Sequence, residues 1–276
     1  MTSKRNNLEA LREKAYQTRK SLIRIASRSG SPHIASSLSE IEIITTLYSE
    51  ILHITPAAVS DPKRDRFILS KGHAALGYYL ILAQHGFFPM EEVERYAQND
   101  TRLAAHPVYG SVPGIEATSG SLGHGLPLSL GIALASKRDG SPARAFVLIS
   151  DGECDEGSNW EAILLAGHLG LDNLTVIVDY NKIQSFGTVE EVLNLEPFAD
   201  KWRAARWAVQ EVDGHSFTEL TGALAHVPLQ KGKPSVIIAH TVKGKGVPYM
   251  ENKLESHYMN VKTEELEHTL AQIYKI

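Results

Sequence analysis

The sequence predicts an α/β fold: a single domain over residues 1–276, with a mainly parallel sheet flanked by helices. Short apolar runs bounded by turn residues alternate with segments of helical periodicity, the pattern of βαβ units. No internal repeat and no low-complexity linker divides the chain. We expect a helical amino-terminal arm over about 1–55, a sheet core over about 56–250 and a carboxy-terminal helix over about 261–276.

Composition excludes several classes of function. The 276 residues are 43% hydrophobic and 22% charged, and 28 basic and 32 acidic residues give a net charge of −4. We therefore expect no nucleic-acid partner and no membrane association, because basic patches and apolar runs of about 20 residues are absent from the sequence. The amino terminus has no apolar signal segment, and the single cysteine, Cys154, fits a reducing compartment. These features predict a cytoplasmic protein.

The first elements follow from periodicity. Asn7–Ser27 has apolar residues on one face and predicts a surface helix. A second helix is predicted over Ser37–Leu52, opened by a serine cap with Glu40 three residues later. Arg66–Ser70 predicts a short strand that turns into a helix over Ala74–His85.

The remaining elements continue the alternation. We expect, in order, a helix from about Leu126, a strand Ala145–Ser150, a helix Asn159–Leu171, a strand Leu174–Asp179, a helix Ala199–Arg206, a strand Trp207–Val212, a helix Phe217–Val227, a strand Ser235–His240 and a helix Thr263–Tyr274.

Polar residues follow two of these strands where the strands end. Asp151 and Gly152 come after one buried strand, and Asn181 comes after the next. A right-handed βαβ unit places the two strand ends side by side, so Asp151 and Asn181 should converge. Their oxygens suit Mg²⁺ or Ca²⁺, Gly152 leaves room for a phosphate, and the following helix start offers N–H groups to it. Each piece alone is more often a simple turn, but the correct spacing favours a metal site.

This segment resembles the thiamine diphosphate motif of transketolases, in which G-D-G is followed after about thirty residues by N; here Ser150 takes the place of the first glycine. The resemblance implies thiamine diphosphate and Mg²⁺ as cofactors, with Ca²⁺ or Mn²⁺ as substitutes. The implied metal ligands are Asp151, Asn181 and the backbone carbonyl of Ile183. Implied cofactor contacts in this segment are Gly152, Glu153 and Asn181, and implied subunit-interface residues are Glu156 and Glu161.

Four histidines stand in contexts similar to those of the same family. S-K-G-H-A contains His73, which the resemblance assigns to the cofactor diphosphate. A-H-P contains His106, S-P-H-I contains His33, and E-S-H-Y contains His257 where the family has H-G. The resemblance gives His33, His106 and His257 catalytic roles near the reacting carbon and brings His257 to the diphosphate as well. A lone histidine is more often structural, but four in family order favour function.

Two further segments resemble the family. T-S-G-S-L-G-H-G over 118–125 is similar to T-T-G-x-L-G-x-G and implies cofactor contacts at Gly120 and Leu122; without the resemblance it would be a flexible helix entry. T-V-K-G-K-G-V over 241–247 resembles T-x-K-G-x-G. His124 and His215 are interpreted as structural residues.

The resemblance covers only the amino-terminal part of a full transketolase. In that family a second domain cradles the aminopyrimidine and supplies the activating glutamate. We therefore expect a split enzyme, an α₂β₂ assembly with a carboxy-terminal transketolase subunit, which transfers a two-carbon ketol unit from a sugar phosphate to an aldehyde. Another split thiamine enzyme, either a 2-oxoacid dehydrogenase component or a ketol transferase of secondary metabolism, and a non-catalytic remnant are the alternatives.

Overall fold

Five parallel strands form one sheet in the computed structural model, which describes residues 2–276, with side chains from Asn7 onward. The strand order is β1-β2-β3-β5-β4. The strands are β1 (Arg66–Leu69), β2 (Ala145–Ser150), β3 (Leu174–Tyr180), β4 (Ala208–Asp213) and β5 (Ser235–His240). The predicted α/β fold with a parallel sheet is confirmed, and each predicted strand lies within one residue of its observed position.

Helices cover both faces of the sheet. Single 3₁₀ turns lie at Pro56–Ala58, Gly72–Ala74, Gly152–Asp155, Leu254–His257 and Thr263–Glu265. The α-helices are α1 (Thr2–Ser29), α2 (Ile34–Ser39), α3 (Ile41–Thr46), α4 (Ala75–Gln84), α5 (Met90–Val93), α6 (Gly125–Arg138), α7 (Gly157–Leu169), α8 (Val189–Val192), α9 (Phe198–Ala204), α10 (Phe217–Leu224) and α11 (Leu266–Gln272).

The sheet separates two apolar cores. Phe146 and Leu148 of β2 point into the first, which contains buried residues of α1, α3, α4, α10 and α11. Val147 and Ile149 point into the second, with residues of α6, α7 and α9. Alternate residues of a strand face opposite sides, so a strand buried on both faces is apolar throughout, as β2 is.

The predicted helix over Ser37–Leu52 is wrong at its start and in its continuity. The chain becomes helical at Ile34, directly after His33, and α2 ends before Glu40. α3 then gives way to a π-helical turn at Leu47–Ile51. The cause is tertiary: Glu40 is wholly buried beside a lysine, so it cannot act as the exposed partner of a serine cap.

Among residues 2–276, no helix has both the length and the apolar character that crossing a bilayer requires.

Candidate functional site

A cavity of about 450 Å³ opens at the carboxyl ends of β1, β2, β3 and β5. This is the edge at which open parallel sheets bind ligands. Its lining includes eleven of the thirteen residues that the sequence assigns to the site, namely His33, His73, His106, Gly120, Leu122, Asp151, Gly152, Glu156, Asn181, Ile183 and His257. Glu153 and Glu161 are not among the lining residues.

The three predicted metal ligands lie together on neighbouring strand ends. Ser150 and Asp179 are paired across β2 and β3, so Asp151 and Asn181 follow at adjacent positions. The Asp151 carboxylate accepts hydrogen bonds from the backbone N–H of Gly152 at 2.8 Å and of Lys182 at 2.6 Å. Asn181 Oδ1 accepts the N–H of Ile183 at 3.1 Å. These bonds hold hard oxygen donors in place at the cavity wall.

Burial, followed by the nearby Asp179 carboxylate, raises the pKa of Asp151 to about 6. A buried carboxylate in this position favours a neighbouring cation, because the cation would stabilise its ionised form. Carboxylate, amide and carbonyl oxygens are the donors that Mg²⁺ and Ca²⁺ accept. The residues present therefore fit a divalent metal.

Lys243 brings a positive charge into the cavity, a role that the sequence interpretation did not assign. Its Nζ donates to the Ile183 carbonyl at 2.7 Å and contacts His257 Nδ1 at 2.7 Å. The side chain is nearly fully buried, and burial lowers the pKa of Lys243 to about 8. The Lys243 ammonium, next to the Ile183 carbonyl, would favour an anionic group in this part of the cavity.

Three of the predicted histidines form a compact cluster. Ring centroids lie 5.5 Å apart for His33 and His73, 5.1 Å for His33 and His257, and 6.1 Å for His73 and His257. Burial is the main cause that lowers the pKa of each, to about 3 for His257 and well below the usual value for His73. The rings are therefore neutral near pH 7, each with one donor and one acceptor nitrogen.

His33 has an unusual backbone and a free ring nitrogen. Its φ of 71° lies in the left-handed region, which is costly for a residue with a Cβ. Its Nδ1 is buried without a hydrogen-bond partner in the described part of the chain. The Nε2 of Gln184 is a second buried atom without a partner among the described residues, and both His33 and Gln184 line the cavity.

The glycine-rich turn permits close packing between loops. Gly120 has a φ of 126°, and a Cβ there would lie 2.8 Å from the ring of His106. A Cβ on Gly72 would lie 2.7 Å from the backbone nitrogen of Gly120. His106 is held against this turn, outside the cluster of the other three histidines but in the same cavity.

Glu153, predicted to contact the cofactor, turns its carboxylate away from the cavity. The 3₁₀ turn at Gly152–Asp155 directs it beneath β2, where it accepts hydrogen bonds from the N–H groups of Ser150 and Gly123 and from the Ser70 hydroxyl. Glu153 thereby connects the chain segments at Ser70, Gly123 and Ser150. The same turn also separates Gly152 from the helix start, since α7 begins only at Gly157. The expected supply of helix N–H groups next to Gly152 is therefore not observed.

The predicted interface residues lie on the outside of this region. Glu156 and Glu161 are both exposed, the first at the rim of the cavity and the second on α7. Leu164, at 61% exposure, and Leu165, at 46%, extend this surface along α7. An apolar strip with carboxylates on a surface helix is typical of an interaction surface.

The buried ion network beneath the cavity was missed. Lys71 contacts the Asp179 carboxylate, donates to the Ser36 carbonyl at 2.9 Å, and lies 3.4 Å from a Glu40 oxygen. Asp179 also accepts hydrogen bonds from Ser39 and Thr241. The available signal was an aspartate in an otherwise apolar strand, which must have a partner when it is buried.

The two histidines interpreted as structural residues, and the single cysteine, have surroundings that agree with a structural role. His215 lies between the Glu42 carboxylate and the N–H of Val242, and His124 contacts the Leu122 carbonyl at the start of α6. Cys154 is buried, and burial raises the pKa of its thiol well above the usual value.

Comparisons with known proteins agree with this geometry. The family described as "Transketolase, thiamine diphosphate binding domain" matches residues 13–274. The chain is 39% identical over 266 residues to one of the subunits of the apulose-4-phosphate transketolase of Actinobacillus succinogenes, covering 96% of both chains. It is also 39% identical over 265 residues to the 6-deoxy-6-sulfo-D-fructose transketolase subunit of Clostridium sp. (strain MSTE9), again covering 96% of both.

Among solved structures, the transketolase of Campylobacter jejuni superposes with a TM-score of 0.86 and 26% identity, covering 95% of this chain and 43% of that one. The aligned part of the longer enzyme is thus less than half of its length. With the family match across nearly all residues, the chain belongs to the transketolase family and corresponds to its amino-terminal, thiamine diphosphate-binding part.

Proposed function

We propose that this chain is the diphosphate-binding subunit of a two-subunit transketolase, which transfers a two-carbon ketol unit from a ketose, such as a sugar phosphate, to an aldehyde. The observation that carries the proposal is the convergence of Asp151, Asn181 and the Ile183 carbonyl with clustered, neutral histidines in one cavity.

The metal would be held by Asp151, Asn181 and the Ile183 carbonyl, with Mg²⁺ as the cation and Ca²⁺ or Mn²⁺ as substitutes. A carbonyl oxygen has two acceptor positions, so the hydrogen bond from Lys243 leaves one for the metal. Gly152 and His73, with Gly120 and Leu122, would contact the cofactor. Bound thiamine diphosphate supplies an electron sink for carbanion chemistry.

The histidines would handle substrate hydroxyls. A neutral imidazole can accept a proton from one hydroxyl and donate one to another. His33, whose Nδ1 has no partner among the described residues, and His257 line the same cavity. His106, which packs against the glycine-rich turn, lines it as well. We assign these three residues to orienting the substrate and moving protons at its oxygens.

The missing half of the site would come from a partner chain. Two relatives that this chain covers along 96% of their length are named as transketolase subunits, which implies that each works with a second chain. We infer that a carboxy-terminal transketolase subunit binds beside Glu156 and along Glu161 and the exposed leucines of α7, in an α₂β₂ assembly. That subunit would supply the aminopyrimidine site and the activating glutamate.

The proposed function covers several ketose donors and aldehyde acceptors. The names of two relatives specify apulose-4-phosphate and 6-deoxy-6-sulfo-D-fructose, so related subunits act on different ketoses. A different split thiamine enzyme would use the same metal ligands. A non-catalytic remnant is disfavoured because the oxygen donors and the histidine cluster are all present in the cavity.

The test is calorimetric titration of thiamine diphosphate with Mg²⁺ into the chain alone and into its mixture with the carboxy-terminal subunit. We expect tight, metal-dependent binding in the mixture, weak binding by the chain alone, and loss of binding in Asp151→Ala. The control is Asp200→Ala, a change at an exposed aspartate on α9 that pairs with Arg203. If the two subunits associate and still bind no cofactor, the enzyme proposal fails.

A further inference from the structure

We propose that His215, oriented by Glu42, is a positioning residue that holds the backbone beside Lys243 and so fixes the Lys243 ammonium where it favours the anionic part of the cofactor. The proposal rests on the proposed function, because it concerns the same cavity. It assigns an effect on cofactor binding to two buried side chains that are not among the residues lining the cavity.

His215 joins Glu42 to the residue before Lys243. Its Nδ1 lies 2.9 Å from a Glu42 carboxylate oxygen, and its Nε2 lies 2.8 Å from the backbone nitrogen of Val242. A backbone N–H can only donate, so Nε2 must be the acceptor, and the ring proton must be on Nδ1, where it donates to Glu42. The carboxylate thus selects the neutral tautomer that can hold Val242.

Arg19 joins the same carboxylate to the other side of the loop. Its guanidinium lies 2.6 Å from both Glu42 oxygens, and its Nε donates to the Lys245 carbonyl at 3.0 Å. Gly246 follows directly, and a Cβ there would lie 2.7 Å from Arg19 Cδ, so the loop packs closely against this side chain. One buried carboxylate therefore fixes the backbone on either side of Lys243.

The loop between these two contacts carries Lys243 into the cavity. Its Nζ donates to the Ile183 carbonyl and contacts His257 Nδ1, each at 2.7 Å. A lysine side chain is long and flexible, so its ammonium reaches one defined point only when the backbone that carries it is fixed. Loss of a residue that orients a metal ligand weakens binding by about 10- to 100-fold, and loss of the contacts that orient Lys243 should act in the same way.

The experiment compares His215→Phe with His215→Gln in the assembled two-subunit protein. The phenyl ring fills similar space but can neither accept from Val242 nor donate to Glu42, whereas a glutamine amide can do both. The readout is calorimetric titration with thiamine diphosphate and Mg²⁺. We expect His215→Phe to weaken binding by about tenfold and His215→Gln to restore most of the affinity.

A double-mutant cycle tests whether the effect passes through Lys243. Lys243→Ala should itself weaken binding. In that background His215→Phe should change the dissociation constant by less than about twofold, because the ammonium that it misplaces is gone. A loss as large without Lys243 as with it would overturn the proposal. Failure of the wild-type complex to bind the cofactor would instead overturn the proposed function.

A second measurement does not depend on the cofactor. Hydrogen exchange of the Val242 amide in the cofactor-free complex should be faster in His215→Phe than in wild type, because the N–H loses its acceptor. His215→Gln should stay close to wild type. Unchanged exchange at Val242 in His215→Phe would overturn the proposal, even where Lys243→Ala binds the cofactor too weakly to be titrated.

The matched control is Asp65→Asn, which removes a different buried carboxylate. Asp65 accepts hydrogen bonds from the Arg144 side chain and from the backbone N–H of His53. It directly precedes β1, at the edge of the sheet opposite to the cavity. Asp65→Asn should lower stability and leave the cofactor affinity unchanged. If it weakened binding as much as His215→Phe, the loss would reflect general destabilisation and the proposal would fail.

Discussion

Lys71 and Asp179 form an ion pair that is almost completely withdrawn from solvent directly beneath the proposed metal site. Asp179 is two residues before Asn181, whose Nδ2 lies 3.5 Å from Asp179 Oδ1. Ser39 and Thr241 donate to the same carboxylate, so it ties α2 and the end of β5 to β3. The buried pair thus joins three parts of the fold, and Lys71 also lines the cavity.

We expect Asp179→Asn and Lys71→Met each to lower the free energy of unfolding by about 3–5 kcal/mol, because each leaves one buried charge without its main partner. The double variant Lys71→Met/Asp179→Asn should recover much of the loss, because neither charge then remains buried without its partner. Urea unfolding of the four proteins measures the coupling. Single variants as stable as wild type would show that the pair does not stabilise the fold.

Acid should destabilise the protein through Glu42. Burial raises the pKa of this carboxyl, but Arg19, at 2.6 Å from both carboxylate oxygens, and His215 outweigh burial and lower the pKa to about 2. A depressed folded pKa contributes stability above the unfolded value of about 4.5, and the contribution is lost as pH falls toward 2. The contribution is about 3 kcal/mol on the scale of 1.36 kcal/mol per unit.

Unfolding free energies measured between pH 6 and pH 3 should therefore fall more steeply for wild type than for Glu42→Gln. The control is Glu9→Gln, an exposed residue that pairs with Arg12. Parallel curves for wild type and Glu42→Gln would contradict the assignment.

Glu40 should have the opposite effect. Burial raises its pKa to about 8, and neither of its oxygens accepts a hydrogen bond from any described residue. Because the folded state holds a proton that the unfolded chain releases, stability falls as pH rises from about 4.5 through about 8. Glu40→Gln should gain stability relative to wild type over this range, by a few kcal/mol at pH 8. A difference that stays constant between pH 5 and pH 8 would argue against a protonated Glu40.

Gly120→Ala should damage the site through His106. The added Cβ would meet the imidazole at 2.8 Å and sit at a φ of 126°. We expect a loss of about 1–3 kcal/mol in stability together with reduced turnover of the assembled enzyme. Gly131→Ala is the matched control, because Gly131 lies exposed in α6. Apart from its own helix backbone, no atom of the described residues lies within 4 Å of the position that an added Cβ would take. It should stabilise the helix by about 0.5–1 kcal/mol.

The parts of the fold that the sequence predicted are those governed by local periodicity. The apolar runs of β2 and β3 identify buried strands, and the spacing of Asp151 and Asn181 identifies their meeting point. The parts of the fold that the sequence did not predict depend on tertiary burial. The interruption at Glu40 follows from its position beside Lys71, and lysines in glycine-rich turns are usually solvent-exposed.

Tyr258, which lines the cavity, is another residue whose position the local sequence does not predict. Its sequence neighbours indicate a histidine near the substrate, but the direction of the tyrosine ring depends on His33, which lies 225 positions earlier in the chain. Asp179 differs from these residues, because its sequence does carry a signal. An aspartate in the buried strand L-T-V-I-V-D-Y must have a buried partner.

The strand order has a consequence for synthesis on the ribosome. β5 inserts between β3 and β4, although it is the last strand to be made. Until residue 240 has left the exit tunnel, the apolar β3 has one unpaired edge and β4 has no neighbour in the sheet. Exposed edges of this kind promote aggregation, and pairings distant in sequence form slowly. We therefore expect truncation before Ser235 to yield an aggregation-prone product, because β3 and β4 then lack the strand that joins them.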